Sequence, residues 1–258
     1  EAVQVSYPDG KRGGAARPGS PALYESGRGR PPGQRCVIPL HKNGAISVSV
    51  IKRLPRYYRF LADLKAAGVV RISSRELSDR MGLTASQIRQ DLNCFGGFGQ
   101  QGYGYNVEQL FHEIGLILGL DHTRKAILIG AGNLGRAIAT HMSFESRGFQ
   151  LIGIFDKKES LAGQMVRGFP VRHIDGLDEF CRENLPEVAI LCIPRSEAAA
   201  LADQLIKLGI KGFWNFSHYD LSVKYPDIPV ENVHLGDSLM TLCYNVNQRI
   251  AAEEAEKK

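Results

Sequence analysis

The stretch KAILIGAGNLGRAIATHM, Lys125 to Met142, constrains the fold more than any other part of the chain. It sets a short apolar run, three glycines in G-x-G-x-x-G register (Gly130, Gly132, Gly135) and a helical pattern in direct succession. That order predicts a strand, a tight turn and a helix. Glycine at the first position permits the turn, at the second it lets a pyrophosphate approach the backbone, and at the third it lets the helix lie on the strand. Phosphates then meet free N–H groups at the positive end of the helix. Ala131, Asn133 and Leu134 fill the rest of the loop and belong to the same candidate set.

A lone match to this pattern is weak, and its surroundings decide its weight. FQLIGIFD predicts a second strand ending in Asp156, twenty-one residues after Gly135. A carboxylate there can accept hydrogen bonds from both hydroxyls of an adenine ribose, which favours NAD over NADP. Lys157 and Lys158 soften that preference, because a lysine could offset a 2′-phosphate. EVAILCIP, FWNFS and PVENVHL read as further strands, with SEAAALADQLIKLGIKG as a helix between the first two. Alternation of this kind predicts a parallel sheet covered on both faces. Ligands bind beyond the carboxyl ends of such strands, which makes Ile193, Pro194, Asn215, Phe216 and Ser217 candidate lining residues, with ordinary turn roles as the alternative.

The chain upstream has a different character. In VIKRLPRYYRFLADLKAAG, apolar residues at Ile51, Leu54, Tyr58, Leu61 and Leu64 describe one helical face, with Pro55 placed early, where a first turn or a kink tolerates it. Ser73 or Ser74 can cap a short helix that stops at Gly82, and Thr84 can cap another from Ala85 to about Phe95. Two short helices joined by a tight turn predict a helix-turn-helix. Ile88, Leu92 and Phe95 would pack inward, leaving Ser86, Gln87, Arg89 and Gln90 to meet base edges and phosphates. GGFGQQGYGYNV then fits a β-hairpin wing carrying Gln101, Tyr103 and Tyr105. With Arg56, Arg59 and Ser73 these form the candidate DNA-binding set; a solvated helix face and inward-packed tyrosines are the alternative.

Charge supports the DNA reading. Residues 45–106 carry nine Lys/Arg and four Asp/Glu, whereas residues 107–258 carry sixteen and twenty. A basic front and an acidic back suit a chain whose front meets a polyanion. Residues 1–44, with eight Gly and six Pro, show no periodicity and are expected to be a disordered basic extension, either brushing DNA or without a role. No apolar run is long enough to span a membrane, no signal-peptide core is evident, and the five cysteines include no C-x-x-C pair. These features point to a reduced cytoplasmic protein without a zinc site or disulfide scaffold. None of the seven histidines falls in a catalytic pattern. The expected organisation is therefore the extension 1–44, a DNA-binding domain with a connecting helix 45–120, a nucleotide-binding domain 121–236, and a helix 237–258. That last helix carries Leu239, Leu242, Val246 and Ile250 on one stripe, which must be buried on its own domain or on a second copy.

From about Ser47 onward the chain resembles the Rex family of redox-sensing transcriptional repressors. The resemblance rests on IKRLPRYYRFL, RISSRELS, QIRQDLNCFGGFGQQGYGYNV, ILIGAGNLGRA, FD and LGIKGFWNF, in that order. It implies an α/β architecture: a winged-helix DNA-binding head, a Rossmann-type parallel-sheet body and a C-terminal helix swapped onto the partner of a homodimer. It also implies a palindromic operator that is released when NADH, but not NAD+, fills the body. Carried across by motif, Gly130 to Gly135 would hold the pyrophosphate, Asp156 the ribose, and Arg89 and Gln90 the operator. Three positions depart from the family pattern: Gln90 stands where lysine is typical, His141 where many members have tyrosine, and His234 where that tyrosine's aspartate partner stands. Two histidines cannot form the tyrosine–aspartate bond, and when both are protonated they repel. His141 and His234 are thus candidate switch residues. Alternatives are a Rex-like repressor reading ATP or ADP, and an NAD-dependent oxidoreductase with an accessory DNA-binding head.

Overall fold

A computed structural model describes residues 46–96, 98–100 and 103–256. Residues 1–44 and Gln101 lie outside the described residues. The first described unit is built from α1 (Val48–Ala66), β1 (Arg71–Ile72), α2 (Ser74–Met81), α3 (Ala85–Asn93), β2 (Gly99–Gln100), β3 (Gly104–Asn106) and α4 (Val107–Ile117). Ser47 caps α1 by accepting from the Ser49 N–H, so the helix starts early and Pro55 lies well inside it rather than in its first turn. The buried face of α1 uses Tyr57, with Leu54, Leu61 and Leu64. Tyr58, expected there, is half-buried and stacks on Phe111 of α4 with ring centroids 4.3 Å apart.

Capping fixes the two short helices. Ser73 and Glu76 form a reciprocal capping box at the start of α2, and Gly82 ends it in the left-handed region. Thr84 then caps α3 through the Gln87 N–H. β1, β3 and β2 form a small antiparallel sheet in that spatial order, with β2 and β3 as the wing. Gly104, at φ +69°, is required here, since a Cβ on it would lie 2.6 Å from the Ile72 carbonyl oxygen.

One carboxylate ties α1 to α3. Asp91 is fully buried, and its oxygens accept from Arg53 Nε (2.6 Å), Arg53 Nη2 (2.7 Å), Tyr57 Oη (2.7 Å) and Gln87 Nε2 (2.8 Å). Burial opposes its ionisation, but the bonds from Arg53, Tyr57 and Gln87 outweigh burial and hold its pKa below the usual carboxylate value.

The second unit is a seven-stranded sheet in the order β10-β9-β8-β4-β5-β7-β6. Its strands are β4 (Arg124–Ile129), β5 (Phe149–Asp156), β6 (Met165–Val166), β7 (Phe169–His173), β8 (Val188–Leu191), β9 (Gly212–Asn215) and β10 (Val230–Asn232). All pairings are parallel except β6 on β7, an antiparallel edge formed by a segment that the strand reading passed over. Strand order reverses between β4 and β8, which sets the ligand crevice. Ile127 and Ile129 face a core containing α6 (Leu177–Asn184), α7 (Arg195–Lys207) and α8 (Leu221–Lys224). Ala126 and Leu128 face the opposite core, under α5 (Asn133–His141). The strands bury both faces, as parallel sheets require.

The last element, α9 (Leu235–Ala255), has no buried residue. Its stripe residues Leu239, Leu242, Val246 and Ile250 are 67, 56, 46 and 49% exposed. The stripe read from the sequence is present, and this chain alone does not cover it.

The Asp91 network has a consequence for stability. Asp91→Asn should destabilise the first unit by about 3 kcal/mol, because it leaves the Arg53 guanidinium without its partner. The group's pKa is lower folded than unfolded, so its contribution is present above about pH 4 and fades as pH falls through the folded value. Urea unfolding of both proteins at neutral and acid pH checks this: the difference should shrink in acid.

Candidate functional site

The glycine loop follows from three backbone contacts. Gly130 leaves β4 with φ +100°, and a Cβ there would sit 2.3 Å from the Cys192 carbonyl oxygen. A Cβ on Gly135 would sit 1.8 Å from the Gly130 carbonyl oxygen, so α5 lies directly on the turn. Gly132 differs: a Cβ on it would meet nothing within 4 Å, and it is exposed. Gly130 and Gly135 are therefore glycine for the fold, while Gly132 opens the loop towards a ligand. Gly132 also occupies the N-cap of α5 with no side-chain cap, leaving the first N–H groups free for phosphate oxygens. Ala131 is buried, whereas Asn133 and Leu134 are exposed on the mouth of the loop.

Asp156 ends β5 and is 8% exposed. Its Oδ2 accepts from the Ala131 N–H (2.7 Å) and its Oδ1 from the Lys158 N–H (2.8 Å). The carboxylate braces the glycine loop, and each oxygen keeps a lone pair for a ribose hydroxyl. Lys157 turns to the Glu197 carboxylate on α7. Arg136, in the first turn of α5, donates twice to Gln164 Oε1 (3.0 and 2.8 Å) and fastens the loop helix to the segment before β6. Neither Glu197 nor Gln164 is marked in the sequence, since both partners are distant along the chain.

The expected lining residues divide. Ile193 is half-buried beside Gly130, and Pro194 is exposed at the start of α7. Asn215, Phe216 and Ser217 are corrected from ligand lining to packing and support. Asn215 is fully buried; its Nδ2 donates to the Tyr219 carbonyl (2.6 Å) and Asn232 Oδ1 (2.8 Å), and its Oδ1 accepts from the Ser217 N–H (3.1 Å) and Oγ (2.6 Å). All its capacity goes into shaping the loop after β9. Phe216 packs in the core against Trp214, and Ser217 is 2% exposed. Burial pushes the neighbouring Cys192 thiol up to about 12, so it stays a thiol. His141 is exposed at the end of α5, and the ring that His234 meets is that of His218, stacked at 5.6 Å between centroids. His218 was not singled out in the sequence.

In the first unit Ser86, Arg89 and Gln90 are exposed on α3, and Arg59 is exposed on α1. Arg89 Nη1 donates to Ser74 Oγ (3.0 Å) and remains at the surface. Tyr103, 70% exposed on the wing, lies beside the Arg71 guanidinium, 6.0 Å from its ring centroid. Two expectations, Tyr105 and Gln87, need correction, and two further residues, Ser73 and Arg56, also make bonds within the unit. Tyr105 is 7% exposed and packs into the core because β3 alternates and turns it inward. Gln87 turns back to Asp91 instead of facing outward. Ser73 spends its hydroxyl oxygen on the α2 cap. Arg56 donates to the Met81 carbonyl, closing the end of α2. The missed residue is Asp91, which sits with Ile88, Leu92 and Phe95 on the inward stripe; a carboxylate at an apolar position was the signal for a buried pair.

Among the described residues no group of three or more His, Cys, Asp or Glu is arranged to hold a metal ion, and no helix is long and apolar enough to cross a membrane.

Comparison with known proteins bears on both units. Residues 45–93 match a family model described as a putative DNA-binding protein N-terminus, and residues 121–219 match one described as a CoA binding domain. A redox-sensing transcriptional repressor Rex of Thermoanaerobacter sp. (strain X514) is 53% identical over 219 residues, covering 85% of this chain and 96% of that protein. A Rex of Clostridium perfringens (strain SM101) is 51% identical over 208 residues, covering 81 and 98%. The crystal structure of RSP in complex with β-NAD+ and operator DNA superposes with TM-score 0.74 at 51% identity, covering 83% of this chain and 98% of that one. RSP in complex with β-NADH gives TM-score 0.74 at 50% identity, covering 81 and 98%.

The two kinds of glycine separate experimentally. Gly135→Ala should cost at least about 2 kcal/mol of stability, because the added methyl meets backbone. Gly132→Ala should unfold like the parent yet bind a dinucleotide roughly tenfold more weakly, about 1.4 kcal/mol. Chemical denaturation and calorimetric titration of both variants check this; equal stability losses would contradict the assignment.

Proposed function

The chain belongs to the Rex family of redox-sensing transcriptional repressors, and on that premise we propose that it represses transcription from an operator and releases it according to the NADH/NAD+ balance. One observation carries the reading: a helix-turn-helix with a wing and an open glycine crevice occur in one chain, and the half-identical RSP is known with operator DNA and with both redox states of the nucleotide. The relatives carry the name of repressor, and the oxidoreductase alternative falls with that.

The crevice fits NAD(H) in its own chemistry. Gly132 and the uncapped start of α5 suit the pyrophosphate, and Asp156 suits the adenine ribose. Bound there, the dinucleotide supplies a redox-dependent shape and charge and no reaction. Arg59, Ser86, Arg89, Gln90 and Tyr103 form the exposed surface for DNA, with cations for phosphates and amides for base edges. Two copies joined through the apolar stripe of α9 would present two such surfaces to a palindromic operator. We place the protein in the cytoplasm, where NAD(H) and the operator both are. The domain boundaries at residues 44/45, 120/121 and 236/237 belong to the same proposal, which treats residues 237–258 as the dimerising helix.

Control requires unequal ligand affinity for the two arrangements of the dimer. His141 and His234 do not supply a tyrosine–aspartate bond, while the adenosine half of the crevice is complete; this favours ATP or ADP as the second reading.

Titration of NADH, NAD+, ATP and ADP against the operator complex separates the two readings. NADH alone should dissociate it; response to the adenylates with indifference to NADH would replace redox sensing by adenylate sensing. Arg89→Ala should weaken operator binding and reduce its salt slope by about one. An unchanged slope would remove Arg89 from the phosphate contacts.

A further inference from the structure

The strand order assigns the two halves of the crevice to different residues. Asp156 ends β5 on one side of β4, and β8 and β9 lie on the other. A dinucleotide whose adenosine sits at Asp156 and whose pyrophosphate sits on the glycine loop extends its second half towards the ends of β8 and β9. The loop after β9 carries His218, and the entry to α9 carries His234. Their rings stack with planes 22° apart and centroids at 5.6 Å. The loop is firmly held. Ser217 and Tyr219, on either side of His218, both bond to Asn215, and His218 adopts φ +58°, which a non-glycine residue keeps only where its surroundings impose it.

Among the described residues few compensating charges surround the pair. Asp220 is the carboxylate facing it; Ser222 chiefly, then Asn232 and the charge of His234, keep that carboxyl ionised. Asp237 lies in the first turn of α9, where its N–H donates to the His234 carbonyl. Glu231 on β10 faces Lys52 (3.9 Å).

The two redox states differ in charge at the relevant end. The nicotinamide ring of NAD+ is cationic and that of NADH is neutral. We propose that the His218–His234 pair discriminates NADH from NAD+ by charge, so that proton concentration tunes the redox response. A charged pair repels the oxidised ring and leaves the reduced ring unaffected, so acid conditions raise the preference for NADH. The inference rests on the NAD(H) reading of the crevice.

Calorimetric titration of the full chain with NAD+, NADH and ADP at about pH 8 and about pH 6 tests it, beside His218→Gln and His234→Gln. NMR titration of the two imidazoles in the unliganded protein reports whether they protonate in that range. On acidification the affinity for NAD+ should fall roughly tenfold relative to that for NADH, as expected for like charges at short range. ADP, which has no nicotinamide, should show no fall, and each glutamine variant should flatten the ratio. A ratio independent of pH, a dependence that survives in both variants, or an equal fall for ADP would overturn the proposal. Failure of either dinucleotide to bind at both pH values would instead overturn the NAD(H) reading itself.

Discussion

The body of this protein depends on a contact between two pieces of backbone. The start of α5 rests on the Gly130 carbonyl so closely that no side-chain atom fits at Gly135. That contact sets the angle at which the helix leaves the strand, and hence where its free N–H groups point. Asp156 then reaches across from β5 to the Ala131 N–H, so the same carboxylate that suits a ribose also stiffens the loop that suits its phosphates. Binding geometry is built into the fold before any ligand arrives, which reduces what the ligand must organise.

The head solves a comparable problem with a charge. Asp91 gathers four donor contacts from Arg53, Tyr57 and Gln87 and so fixes the rotation of α3 about its own axis against α1. Arg89 and Gln90, immediately before it in the helix, are consequently held outward. A purely apolar seam would allow the helix to roll by part of a turn at small cost. A carboxylate with directional partners does not, because any roll leaves a buried charge unsatisfied. For an element proposed to read base edges, rotation is as important as existence.

Much of this was legible in the sequence, and the limits have physical causes. Periodicity located the helices and strands because burial of one face is a local constraint, and the G-x-G-x-x-G run identified the loop because its steric demand is also local. What failed depended on side-chain partners and strand pairings that periodicity does not mark. Asn215 reads as a polar residue at a strand end, a good place for a ligand contact, but Tyr219, Asn232 and Ser217 use its whole hydrogen-bonding capacity. Tyr105 reads as a wing aromatic, and only the pairing of β3 with β1 and β2 shows which way the pleat turns it. Gln87 looks like a base reader until Asp91 is recognised as a buried acceptor. Strands β6 and β7 both escaped, because β6 has only two residues and β7 is a short run interrupted by Pro170 and Arg172.

In the proposed role, the histidine pair would let a family scaffold keep its architecture and change its chemistry. The loop after β9 is shaped by Asn215, a neutral residue whose bonds do not vary with pH, so the backbone that presents His218 is held independently of pH. A rigid frame with titratable groups at its mouth converts a change in proton concentration into a change in local potential without refolding. The entry to α9 shares that mouth through His234, and α9 carries the apolar face that this chain leaves uncovered. In the proposed arrangement, charge at the crevice and attachment of the terminal helix would meet at a single residue. Ligand, proton and subunit arrangement would be thermodynamically linked there, since whatever alters the energy of that junction for one alters it for the others.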